Sequence, residues 1–130
     1  MKHHSPSRQP SSITQHPSSV LVVLVTCPSQ AVARRLAQRL IERRVAACVN
    51  VILGVESTFR WQGKVERCRE ALLFIKTTAA RFERLRRAVL RLHPYDVPEI
   101  IALPVVAGHL PYLRWIAASG LTSVARDRHT

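Results

Sequence analysis

Two strand-like runs meet at Gln62-Gly63, and no other feature of the chain restricts its fold as much. Glycine readily takes the positive backbone angles that a two-residue hairpin turn demands. Before the turn, Ala47–Ile52 is a β-prone apolar run and Val55–Trp61 alternates in polarity. Val55, Ser57, Phe59 and Trp61 fall on one face of such a strand, with Glu56, Thr58 and Arg60 on the other. After the turn, Lys64–Ile75 is polar at first and apolar from Ala71 onward. Leu53-Gly54 marks a bend or bulge, since a glycine inside a strand weakens the ladder there. Residues 47–77 therefore read as one long hairpin with a buried base and a polar, projecting tip.

The flanking segments complete the pattern. Val20–Val25 is a short, wholly apolar run suited to a strand buried on both faces. Pro28 stops its ladder, and Ser29 can cap a helix. Over residues 30–44, Ala33, Leu36, Ala37, Leu40 and Ile41 repeat with helical spacing, which predicts an amphipathic helix. A second helix spans 79–92, with Phe82, Leu85, Val89 and Leu92 inward, and Pro94 and Pro98 follow its end. Ile100–Val106 is a fourth strand, and Pro104 places it at an edge or a strand end. His109–Ser119 is a final short helix with Pro111 in its first turn. The order β-α-β-β-α-β-α defines an α+β, ferredoxin-like unit with an extra C-terminal helix. Residues 1–19, rich in Ser, Pro and His, read as a disordered leader, 20–121 as the domain, and 122–130 as a flexible tail.

A four-stranded sheet exposes two edges, and a long hairpin adds more unpaired backbone groups. Pairing with further copies of the chain satisfies those groups, and head-to-tail pairing closes a ring, so self-association is the expected state. Phe59, Trp61 and Trp115 are the large aromatics expected at contacts between copies, the alternative being a small satellite core within one subunit.

Charge and cysteine usage bound the partners. The 130-residue chain carries 20 Lys and Arg against 8 Asp and Glu, a formal net charge of +12. Such a field attracts polyanions without regard to sequence. The aromatic RNA-binding signature of sheet-based readers is absent, so no specific nucleic acid is expected. The 3 cysteines, Cys27, Cys48 and Cys68, form no even-numbered framework and fit a reducing, cytoplasmic setting. No apolar run approaches the ~18 residues a membrane span needs, so no membrane association is expected. Cys68, between Arg67 and Arg69, is expected to be exposed, with a lowered thiol pKa.

No Ser-His-Asp set, Gly-rich phosphate loop or HExxH pattern occurs, and no catalytic residue is expected. Lys76, Tyr95 and Glu99 lie beside strand ends and prolines, where they could line a pocket between subunits. A structural ion pair is the competing reading.

Five strings, in order along the chain, follow the motifs of one protein family. Arg44-Val45-Ala46-Ala47-Cys48-Val49-Asn50-Val51-Ile52 is similar to the family's R-L-A-A-C-V-N-I-I. Ser57-Thr58-Phe59-Arg60-Trp61-Gln62-Gly63-Lys64 resembles its S-x-Y-x-W-x-G-K hairpin tip. Glu70 through Ile75-Lys76-Thr77 follows its E-x-x-L-x-I-K-T strand. His93-Pro94-Tyr95-Asp96-Val97-Pro98-Glu99-Ile100-Ile101-Ala102-Leu103-Pro104 differs little from H-P-Y-E-V-P-E-I-I-A-L-P. Tyr112-Leu113 followed by Trp115-Ile116 matches its closing motif, and together the five strings resemble the CutA divalent-cation-tolerance family.

The resemblance implies a ferredoxin-like homotrimer, a non-enzymatic role in divalent-metal tolerance, and weak binding of Cu2+ or another divalent cation. It also implies likeness to trimeric PII-type regulators, hence the alternative of a module binding a small anionic ligand between subunits. The family's copper-site histidine falls at His93. Its cysteine aligns with Val25 and a further histidine with Leu92, neither of which can ligate. Cys27, two residues beyond Val25, is the substitute that strand periodicity offers. The competing readings are a helix-end histidine for His93 and a small buried side chain for Cys27.

Overall fold

The computed structural model describes residues 19–119, so most of the expected leader and all of the expected tail lie outside the described residues. The elements are β1 (Val20–Cys27), α1 (Gln30–Glu42), β2 (Cys48–Trp61), β3 (Lys64–Thr78), α2 (Ala79–Leu92), β4 (Ile101–Pro104) and α3 (Leu110–Ala118), in the anticipated order. One antiparallel sheet has the strand order β2-β3-β1-β4. β1 pairs with β3 from Val20↔Thr78 to Cys27↔Ala71, and with β4 from Leu21↔Pro104 to Leu24↔Ile101.

The hairpin forms as the turn chemistry requires. Gln62 (φ 51°) and Gly63 (φ 79°) both take positive φ, the signature of a type I′ turn. The register slips between Ile52 and Val55, where Gly54 (φ 73°) makes the bulge.

Both long helices cover one face of the sheet. Val23 and Val25 of β1 and Leu73 and Ile75 of β3 pack with Ala33, Leu36 and Leu40 of α1 and Leu85, Ala88 and Val89 of α2. Each large side chain so buried contributes about 1.5–3 kcal/mol. The expectation that the first strand is buried on both faces is corrected. Val22 and Leu24 are half-buried on the face the helices leave uncovered. That face continues through Leu72 and Phe74 to exposed Ile52, Ile101 and Leu103.

Ser29 Oγ accepts the Val32 N–H at 3.2 Å, so the expected cap forms. The helix after it stops at Glu42 rather than at residue 44. Val45 N–H donates to Leu40 O and Arg44 N–H to Ile41 O, with Arg44 at φ 60°. This is a Schellman ending with arginine where glycine is favoured. β4 is shorter than expected, spanning only Ile101–Pro104, with Val105 N–H still donating to Val20 O at 3.1 Å just beyond it. In α2, Arg81 is buried (4% exposed) although the sequence reading left it outside the core. Its guanidinium donates to Ile116 O at 3.1 Å and Ala117 O at 2.8 Å, satisfying carbonyls at the end of α3.

Candidate functional site

The β2–β3 ribbon outruns its neighbour. β1 ends opposite Ala71, so residues 64–70 of β3 pair with β2 alone. The space beyond β1 is entered by the segment after α2, whose two prolines prevent further helix.

His93 fixes that segment. It is buried, and its Nε2–H donates to Thr26 O at 2.7 Å while Nδ1 accepts the Tyr95 N–H at 3.1 Å. Tyr95 then donates its hydroxyl to Glu70 Oε2 at 3.0 Å, tying the segment to the ribbon. A groove of about 1130 Å³ results between the ribbon and the segment. Phe59, Trp61 and Tyr95 supply its aromatic walls, and Glu66, Glu70, Asp96 and Glu99 supply carboxylates. Among the described residues Arg67 is its one cationic lining residue, and Ser57, Cys68 and Thr26 also line it.

The register explains this gathering. Phe59↔Glu66, Ser57↔Cys68 and Val55↔Glu70 are cross-strand partners, so the apolar face of β2 and the acidic positions of β3 share one side of the ribbon. Glu66, Cys68, Glu70 and Asp96 were absent from the sequence-based site, and the period-two alternation from the turn was the signal that could have found the three on β3.

Electrostatics in the groove favour neutral hydroxyl and thiol groups. Burial first, then the bond to the Glu70 carboxylate and its charge, push the Tyr95 hydroxyl up to about 12. Burial and Glu70 also raise the Cys68 thiol, correcting the expectation that neighbouring arginines lower it; Cys68 is half-buried. A hydroxyl held further from ionisation is the reverse of an activated nucleophile.

The sequence-based metal pair is not arranged as ligands. Both His93 nitrogens are engaged, leaving no lone pair for a cation. Cys27 is 0% exposed, and burial, with Glu70, pushes its thiol up to about 11, far from the thiolate a metal requires. Among the described residues, no three His, Cys, Asp or Glu side chains come together to hold a metal ion.

The expected pocket trio is split within one chain. Tyr95 and Glu99 line the groove, whereas Lys76 lies further along β3 and donates to Asn50 Oδ1. The aromatics divide as well. Phe59 and Trp61 lie exposed on the ribbon, Trp61 by 60%. Trp115 stacks on Tyr112 at 5.6 Å and packs against Val20, Ala47 and Ile116.

Fold and groove define a small α+β protein with an uncovered sheet face and a ribbon overhanging an acidic, aromatic cleft. The model of the CutA1 divalent ion tolerance protein family matches residues 21–119. The divalent-cation tolerance protein CutA of Thermus thermophilus is 52% identical over 95 residues, covering 73% of this chain and 92% of the relative. The human protein CutA is 43% identical over 117 residues, and the match covers 86% of this chain and 65% of that protein. The solved divalent cation tolerance protein of Thermus thermophilus superimposes on this chain with TM-score 0.76 at 49% identity, covering 77% of this chain and 97% of the other. CutA1 from Oryza sativa gives TM-score 0.76 at 43% identity over 78% of this chain and 95% of that one. The chain belongs to the CutA1 divalent ion tolerance family.

Proposed function

We propose that the chain is a non-catalytic, ferredoxin-like homotrimer that holds a divalent cation, copper among the candidates, weakly in the carboxylate groove. One observation carries this reading. Of the 8 Asp and Glu in a chain of net charge +12, Glu66, Glu70, Asp96 and Glu99 line a single groove. Carboxylate oxygens suit hard divalent ions, and without a complete ligand set in one chain the affinity is modest. A neighbouring copy supplies the missing ligands and covers Phe59 and Trp61. His93 is a positioning residue here, acting through Tyr95 on Glu70.

The trimer is supported by the apolar face of Val22, Leu24, Leu72 and Phe74, by the open edges of β2 and β4, and by the unpaired length of the ribbon. The strand order β4-β1-β3-β2 supports the ferredoxin-like assignment. The carboxylate lining opposes the alternative of an anionic ligand. Three free cysteines support the cytoplasm as the setting.

The test is calorimetric titration of Cu2+ and Mn2+ into wild type, Glu70→Gln/Glu99→Gln, and Cys27→Ser, with sedimentation equilibrium on each. The expected result is a trimer throughout, with affinity lost only in the double variant. A monomer at micromolar concentration, or binding lost in Cys27→Ser and kept in the double variant, overturns the reading.

A further inference from the structure

We infer that the outer face of the helix layer is a docking surface for the phosphate backbone of nucleic acid, read without regard to base sequence. This inference stands on a different face from the groove and does not depend on the metal reading.

The exposed side of α1 carries Arg35 and Arg39 and runs on to Arg43 and Arg44 at its end. The exposed side of α2 carries Arg84, Arg87 and Arg91. The acids on these helices are already engaged. Glu83 takes Arg86 at 2.6 Å and lies 3.5 Å from Arg87, and Glu42 accepts from Gln38 at 2.9 Å. Arg35, Arg39, Arg43, Arg84 and Arg91 therefore have no carboxylate partner among the described residues.

Spacing turns these charges into two ridges. Arg35, Arg39 and Arg43 follow one another at four-residue intervals, about 6 Å per step along the axis. Arg84, Arg87 and Arg91 follow at three and four. The two helices share one core through Leu36, Leu40, Leu85 and Val89, which places packed axes about 8–10 Å apart. A nucleic acid strand presents a charge every ~3.4 Å of axis, so each ridge step meets about every second phosphate.

Guanidinium matches phosphate through its planar, two-pronged donor geometry. A lipid surface is the weaker partner. Helices that lie on membranes sink a broad apolar face, and here those faces are spent on the core, leaving Ile41 and Leu90 partly exposed outside. The groove carboxylates lie with the ribbon and not on this layer, so they do not repel a polyanion docked on the helices. The surface makes backbone contacts and offers no element shaped to enter a groove, so it positions without specifying.

The experiment is fluorescence anisotropy of two labelled duplexes of unrelated sequence against the full chain over a salt series. With about five phosphates neutralised, log K falls with log salt at a slope of about −4.5, a loss of about 500-fold from 50 to 200 mM. Both duplexes bind alike. Arg35→Gln/Arg39→Gln/Arg43→Gln reduces the slope by about 2.7. The ribbon variant Arg60→Gln/Lys64→Gln/Arg69→Gln has the same net charge and leaves the slope unchanged. Circular dichroism confirms that both variants fold. Equal effects of the two triple variants, tighter binding to phosphatidylcholine–phosphatidylglycerol vesicles than to duplex, or no binding at about 50 mM salt would each overturn the inference.

Discussion

Trp61→Ala separates self-association from folding. Trp61 stands at the ribbon tip, 60% exposed, opposite Lys64. A tryptophan offers up to about 250 Å², so about 150 Å² awaits a partner. At roughly 25 cal/mol per Å² its burial is worth at most about 4 kcal/mol. Some of that area stays wet in any interface, and alanine keeps its own share. An effect of about 2 kcal/mol per contact follows, or about 30-fold in the dissociation constant. Within one subunit the side chain has little to lose, because a cross-strand pair contributes about 0.2–1 kcal/mol. Sedimentation equilibrium over a concentration series reads the association constant, and unfolding at low protein concentration reads the subunit. The reasoning fails if Trp61→Ala leaves the association constant where wild type has it, since the ribbon face is then not the contact.

The other expectations concern the interior and the helix ends. The folded Cys27 thiol holds its proton up to about 11, against an ordinary 9.0. Its contribution is complete below pH 9.0 and is lost as pH rises through 11, a loss of about 2–3 kcal/mol. Cys27→Ala should flatten that alkaline fall in urea midpoints, and an unchanged slope counts against it. Arg81→Ala removes two charge-assisted bonds from the end of α3 and should destabilise by about 3 kcal/mol. Amide exchange over 110–118 should accelerate with it, and protection as in wild type would show α3 anchored elsewhere. Arg44→Gly relieves a left-handed arginine at φ 60° and should add about 1 kcal/mol, read as a raised melting temperature. His93→Ala should lower stability by about 2 kcal/mol through its two hydrogen bonds, with Cu2+ affinity changed less than in Glu70→Gln/Glu99→Gln.

Local chemistry was legible in the sequence. Gln62-Gly63, Gly54 and the Ser29 cap each depend on neighbours a few residues away, and each formed as anticipated. Distant partnerships were not. His93 meets Thr26 across 67 positions and Arg81 meets Ile116 across 35, separations at which no periodicity carries information. Arg81 nevertheless lies on the stripe of Leu85, Ala88 and Leu92, and that helical spacing is the signal that could have placed it inward despite its charge. The first strand misled for a topological reason. A run apolar at every position suits burial on both faces, but both crossover helices pack on the same side of the sheet. The leftover apolar face is a statement about a partner, and a sequence cannot say whether that partner is a helix of its own or another chain.

The string from His93 to Glu99 carries much of the family resemblance, and its geometry shows what each of these residue types does there. Histidine is needed to donate to a strand-end carbonyl and accept a backbone N–H at once, which fixes the path of the following residues. Tyrosine then spans from that path to Glu70 and brings two elements into register. Pro94 and Pro98 keep the intervening backbone from coiling, so Asp96 and Glu99 are held against the ribbon instead of on a helix face. Each step places a carboxylate, and none leaves a nitrogen free. A motif that looks like a ligand set in one dimension thus acts in three dimensions as the frame of a groove lined by carboxylates.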